Sequence, residues 1–238
     1  MYFYEYIRYL IFAAPVLIFA MIAQAGVRSA YSKYSKVRNS RMLTGAMAAQ
    51  MVLDHYGVKD VDVRPCAGTL TDNFNPRDKT IYLSEGVYGS TTISAVGIAC
   101  HEAGHAAQHA VGYVPNKIRS ALVPITNFGS RFGLLIAFIG YFIAFFSNSP
   151  ISVYVVIFGL ALYGLVALFQ LVTLPVEFNA SRRALKVIDE VGLLSAEEYK
   201  GAKKVLTAAA MTYVAALATA FVNLIYYAVR LLGGNRRR

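Results

Sequence analysis

From residue 132 to residue 176 the chain runs 45 residues without an Asp, Glu, Lys, Arg or His, broken only by the polar turn Ser147-Asn148-Ser149-Pro150. A helix needs about 20 apolar residues to cross the hydrocarbon core of a bilayer, so this stretch has the length of two crossing helices and their connection. Two further uncharged stretches accompany it: residues 9–27, 19 long, and residues 205–229, 25 long and rich in Ala, whose small side chains suit close helix packing. Four transmembrane helices are therefore expected. Of the 238 residues 57% are hydrophobic and 15% charged, which excludes an ordinary soluble enzyme. The 23 Lys and Arg against 13 Asp and Glu flank the apolar runs and form no basic stripe, so nucleic acid is not an expected partner. Cys66 and Cys100 form no CxxC pair and read as reduced, buried thiols.

The polar remainder is residues 28–125 and residues 174–204. The first carries 11 Lys and Arg, five of them within residues 28–41, and the second carries six. Basic loops stay on the cytoplasmic side, and the central hairpin returns the chain to the side it left, so both polar parts are expected in the cytoplasm. The N-terminus then lies outside, and the fourth crossing carries Arg236-Arg237-Arg238 outside as well, against the same bias. Ala23-Gln24-Ala25 resembles a signal-peptidase site. The preceding segment has no net positive start, because Glu5 cancels Arg8, and the basic run after Val27 is that of an anchored helix.

Within the first polar part, Met42, Ala46, Ala49 and Leu53 recur at helical spacing and Gly57 follows as a stop, which predicts a helix over residues 40–56. Alternation over residues 61–64 predicts a strand. Residues 69–74 and 79–83 flank Asn75-Pro76-Arg77-Asp78 as a hairpin, giving a small sheet. Residues 91–111 read as a second helix, and it carries His101-Glu102-Ala103-Gly104-His105. On a helix the two His of H-E-x-x-H stand about 40° apart and one turn from each other, so both imidazoles reach one Zn²⁺. Glu102, rotated about 100° from His101, sits beside the metal as a proton acceptor for metal-bound water rather than as a ligand. The flanking residues are small and apolar, and buried His and Glu must be paired or metal-bound to offset desolvation.

A hydrolytic zinc site takes a third protein ligand. The metzincin continuation is excluded, since Gln108 and Val111 stand where it has Gly and His. No acid occurs between Glu102 and Glu177, which makes Glu177 the candidate. Pro175 suits the first turn of a new helix, with Ser181 one turn beyond Glu177 on the same face. The competing acids Asp189, Glu190, Glu197 and Glu198 read as a solvated face. His109 and His55 read as hydrogen-bonded structural residues.

These strings resemble the membrane-bound neutral zinc metallopeptidases of the YugP type. The resemblance covers nearly the whole chain and rests on Leu70-Thr71-Asp72 leading to Asn75-Pro76-Arg77, on residues 83–88, on the HEAGH with Ala106 and Gln108-His109, and on residues 174–183. It implies a zinc-dependent endopeptidase with His101, His105 and Glu177 as metal ligands, Glu102 as catalytic base and one Zn²⁺ per chain. The arrangement is also similar to that of the HtpX and CAAX-prenyl-protease membrane gluzincins. Their third-ligand helix reads Glu-x-x-x-Asp where this chain has Ser181, so support for a ligand His by a carboxylate is absent or comes from elsewhere. Arg182 or Arg183 is a candidate oxyanion stabiliser or an interfacial cation.

The expected architecture is thus a mostly α membrane protein: a first transmembrane helix (1–27), a zincin-like α+β catalytic region (28–125), a transmembrane hairpin (126–173), a third-ligand helix and connector (174–204), and a fourth helix with a basic tail (205–238). Expected partners are the lipid bilayer, a protein or peptide substrate held by edge pairing to residues 79–83, and a membrane-protein complex or second copy of the chain. The expected location is the plasma membrane. The rival functions are a site-2-type intramembrane protease, for which the apolar segment at residues 93–100 is too short to span, and a non-catalytic zinc scaffold, which has no need of Glu102.

Overall fold

A computed structural model describes residues 2–147 and 149–233; the Arg236–Arg238 tail lies outside them. The elements are α1 (Tyr2–Tyr34), α2 (Gly45–His55), β1 (Asp62–Cys66), β2 (Asn73–Asn75), β3 (Thr80–Ser84), α3 (Glu85–Tyr88), α4 (Ile93–Ala110), α5 (Val114–Ser147), α6 (Ile151–Glu190) and α7 (Ala196–Gly233). The chain is mostly helical with one small sheet, and α1, α5, α6 and α7 are the four described helices long and apolar enough to cross a membrane. They outrun the uncharged stretches, because a helix does not end where its apolar face does: α5 begins at Val114 and α7 at Ala196. The chain divides into two compact units.

The first unit holds residues 1–22, 118–174 and 213–238. Here α5 and α6 pack through glycines: a Cβ at Gly133 would stand 2.8 Å from the Tyr163 nitrogen, and one at Gly140 2.7 Å from the Val156 nitrogen. Without a hydrophobic force between helices in lipid, such backbone-to-backbone contact is a main source of their association. The Asn223 amide links Tyr9 and Tyr163 through its side-chain oxygen and nitrogen, at 3.3 and 3.4 Å.

The second unit holds residues 23–117 and 175–212. Its core joins Ala48, Ala49, Val52 and Leu53 of α2 to Ala95, Ala99 and Ala103 of α4, with Ala184, Val187 and Ile188 of α6 and Leu206 of α7. Helix α2 starts at Gly45, later than the periodicity suggests. Met42 is left-handed (φ 52°), the buried Asn39 amide bonds both backbone groups of Leu43, and Thr44 caps the helix by accepting from the Met47 N–H. Gly57 ends it with φ 66°.

The sheet order is β1-β3-β2, with β1 parallel and β2 antiparallel to β3. The hairpin forms: Asn75 pairs with Thr80 across a four-residue loop at 76–79, whose start Asn75 fixes by accepting from the Arg77 N–H. Strand β3 is central, so the expectation that residues 79–83 offer a free edge is corrected; the parallel return of β1 fills it. Cys100 is buried and its thiol pKa is pushed up by desolvation. Cys66 in β1 is only half-buried.

Two further corrections concern α6 and α7. Pro175 opens no new helix but lies inside α6, which continues to Glu190. Proline removes one intrahelical hydrogen bond, a loss that apolar helices of this length tolerate when neighbours supply other partners. At the start of α7, Ser195 and Glu198 form a capping box, with the Ser195 N–H 2.8 Å from Glu198 Oε2 and the Glu198 N–H 3.4 Å from Ser195 Oγ. Glu198 also accepts from the Ser40 N–H, so it braces a loop rather than lying free in solvent.

Candidate metal centre

Helix α4 begins where Thr92 accepts from the Ala95 N–H and ends at Gly112, whose φ of 64° lets the Tyr113 N–H return to the Gln108 carbonyl. His101 and His105 lie on its face toward α6, one turn apart, and Glu177 projects from α6 to meet them. Oε2 of Glu177 is 3.3 Å from His101 Nε2 and 3.5 Å from His105 Nε2, and the three ligating atoms all lie within 4.8 Å of one another. Ligands about 2.0–2.2 Å from a tetrahedral Zn²⁺ stand about 3.4 Å apart, so the spacing fits that ion. The carboxylate side chain is 2% exposed, while the imidazoles are 15% and 12% exposed, so solvent reaches the donor set through the imidazoles more than through the carboxylate. Burial disfavours the charged form of Glu177, but hydrogen bonds and charge from both imidazoles outweigh it and hold the carboxyl well below the usual carboxylate range.

The groups behind the imidazoles fix their tautomers. Gln108, fully buried, donates through Nε2 to the Val176 carbonyl at 2.8 Å and to Asn179 Oδ1 at 3.0 Å. With both amide hydrogens so directed, Gln108 Oε1 must face His105 Nδ1, 3.1 Å away, as an acceptor. His105 therefore carries its proton on Nδ1 and presents the Nε2 lone pair to the metal position. Asn179 Oδ1 also accepts from Arg183 Nε at 2.9 Å, and that guanidinium lies over the Tyr56 ring. Ser181 Oγ stands 3.1 Å from His101 Nδ1, within hydrogen-bond reach of it. The groups that stand behind the two imidazoles, Ser181 and Gln108, are thus both neutral. Arg183 belongs to this bracing network, and Arg182 is exposed on the next face of α6.

Gln108 was legible as a departure from the metzincin pattern and as part of the family resemblance, but not as the partner of His105. Its spacing of three from His105 on one helix was the signal that the two side chains meet. Replacing it with Leu keeps the volume but strands the His105 Nδ1 proton and removes one donor from the Val176 carbonyl and one from Asn179 Oδ1, which keeps its bond from Arg183. We expect zinc affinity to fall about 10–100-fold with the fold retained, checked by competition with a chelating indicator.

Of the remaining residues, Glu102 is half-buried beside the cluster, and its Oε2 accepts the Phe74 N–H at 3.0 Å. His109 is exposed and packs against the Phe74 ring, apart from the His101–His105–Glu177 cluster. His55 lies 3.6 Å from Glu190. The acids Asp189, Glu190 and Glu197 are exposed, with Glu190 near Lys186 and Glu197 near Lys200.

Two imidazoles from one helix and a carboxylate from another form the donor set of hydrolytic zinc sites. The comparisons agree with that class. A profile of the family described as "putative neutral zinc metallopeptidase" matches residues 9–232, and the chain belongs to that family. It is also similar to "Putative membrane protease YugP" of Bacillus subtilis (strain 168), with 41% identity over 212 residues, 89% of this chain and 91% of that protein. No solved structure matches it.

Proposed function

We propose that this chain is a membrane-embedded zinc-dependent endopeptidase that hydrolyses peptide bonds of membrane or unfolded proteins close to the membrane surface. The observation that carries the reading is the His101–His105–Glu177 cluster, with Glu102 following His101 in the helix and its carboxylate held by the Phe74 N–H. One Zn²⁺ on those three ligands would polarise the scissile carbonyl and lower the pKa of the attacking water to about 7. Glu102 takes a proton from that water as it attacks and delivers it to the departing amine, so no covalent acyl intermediate is needed. Ser181 and Gln108 keep the two imidazoles oriented while this happens.

Strand β2 is the natural guide for an extended substrate. The Phe74 N–H points to Glu102 rather than to its partner Ile81 in β3, so this side of β2 is its free edge and it runs past the catalytic base. A peptide adding there by main-chain pairing brings its backbone to Glu102. The site is tied by short chain lengths to the apolar helices, since Glu177 follows Leu174, the last residue of the membrane unit in α6, by three positions. The Lys and Arg bias assigns this unit to the cytoplasmic side of the plasma membrane.

An intramembrane protease is disfavoured because α4, at 18 residues, is not among the described helices long and apolar enough to span. A scaffold with structural zinc makes a different prediction from a protease. Glu102→Gln should bind zinc like the wild type and lose about 10²–10⁴-fold in cleavage of a membrane-protein or casein-like substrate. If wild type and variant are equally inactive with metal bound, the chain is a scaffold.

A further inference from the structure

A cavity of about 410 Å³ opens between α6 and α7 within the second unit. Its walls come from one face of each helix: residues 178, 181, 182, 185 and 186 of α6, and residues 199, 203, 206, 207 and 210 of α7. The two ends differ in chemistry. Phe178, Leu206 and Ala210 mark the end from which both helices continue along the chain into their apolar stretches. Arg182, Lys186 and Lys203 mark the other end. No Asp or Glu lines the cavity; Glu190, outside it, approaches Lys186 at 3.7 Å. Ser181, the partner of His101 Nδ1, forms part of the wall, so the cavity adjoins the metal centre at the nitrogen of His101 that does not face Glu177.

We infer that this cavity binds an anionic phospholipid, with its phosphate among Arg182, Lys186 and Lys203 and the first carbons of its chains along Phe178 and Leu206. Charge complementarity carries the anion, since three cations and no acid line the cavity, and basic pockets next to membrane helices attract anionic headgroups in this way. The apolar end carries the amphiphile, because a free phosphate has nothing to place against Phe178 and Leu206. Phe178 is 40% exposed where it lines the cavity, an apolar surface that an acyl chain would cover.

The test uses the full chain in neutral detergent micelles, titrated with phosphatidylglycerol and separately with phosphatidylcholine, with retained lipid counted by native mass spectrometry. Wild type should hold phosphatidylglycerol about 10–100-fold more tightly, and R182Q/K186Q/K203Q should bring the two lipids within about twofold at unchanged melting temperature and zinc content. K59Q/R64Q/K79Q, which removes equal charge elsewhere, should keep the preference. If the triple variant does not fold, Lys203→Gln alone serves, with the preference expected to fall about fivefold. Equal retention of the two lipids by wild type overturns the proposal, as does a preference that survives in the triple variant or is lost as fully in the control. Displacement of the lipid by glycerol phosphate at matched concentration shows a soluble-phosphate site and overturns it too. So does an unchanged lipid preference in the triple variant with altered cleavage of acidic peptides, which marks a substrate subsite. Because lipid retention is read without turnover, this outcome is independent of whether the chain proves to be a protease.

Discussion

Glu177→Ala is expected to leave the purified protein without stoichiometric zinc and without measurable hydrolysis, while α4 and α6 keep their helical signal. The carboxylate is the only acid among the described residues that joins both motif imidazoles, and a single oxygen approaches both at 3.3 and 3.5 Å. Removing it would delete one of the three candidate ligands, and with it the buried negative charge among them, in a site where the carboxylate is 2% exposed. The loss in zinc affinity should exceed the 10–100-fold typical of groups that only support a ligand, so it should exceed that of Gln108→Leu. Zinc per chain, measured after dialysis against a buffered trace of the metal, reads it directly. Glu190→Ala and Glu197→Ala are the controls. Both side chains are exposed and engaged with surface cations, and both variants should keep full zinc. Full zinc in Glu177→Ala would place the third ligand elsewhere.

What the sequence made legible follows the physics that acts locally. Uncharged length marks the helices that can span, and the spacing of His101 and His105 fixes their common face whatever surrounds them. Glu177 was accessible by elimination, because acids are so scarce between Glu102 and Asp189 that few others can serve. The errors share one cause, which is that tertiary partners override local preference. Pro175 reads as a helix start in isolation, yet α6 runs through it. A four-residue alternation at residues 61–64 cannot say that β1 will lie parallel to β3 and take the edge expected for substrate. The Gln108–Asn179–Arg183 chain was invisible for the same reason, since Gln108 and Asn179 are 71 positions apart and meet only when α4 lies on α6.

That meeting depends on one glycine, and the second large effect is expected there. A Cβ at Gly104 would stand 2.6 Å from the Ala180 carbonyl oxygen and 3.3 Å from its Cα, contacts with backbone that no rotamer change relieves. Gly104→Ala must therefore push α4 away from α6 at the level of Glu177 and Ser181. Those residues lie three positions before and one after Ala180, and both touch the motif imidazoles. Overpacking of this kind costs about 1–3 kcal/mol, and because a shift of several tenths of an ångström falls directly on the ligand spacing, zinc retention and hydrolysis should collapse together. Gly97 provides the comparison. It lies seven residues earlier on nearly the same face of α4, where an added Cβ would meet Ala202 Cβ at an ordinary 3.4 Å. Gly97→Ala should be tolerated or should stabilise the helix by up to about 1 kcal/mol, with zinc and activity intact. Thermal unfolding and zinc content of the two variants, measured side by side, separate a general intolerance of bulk in α4 from a requirement for close approach at the HEAGH glycine alone. If Gly104→Ala kept wild-type zinc, the two helices would not be held at the distance on which the His-His-Glu geometry rests.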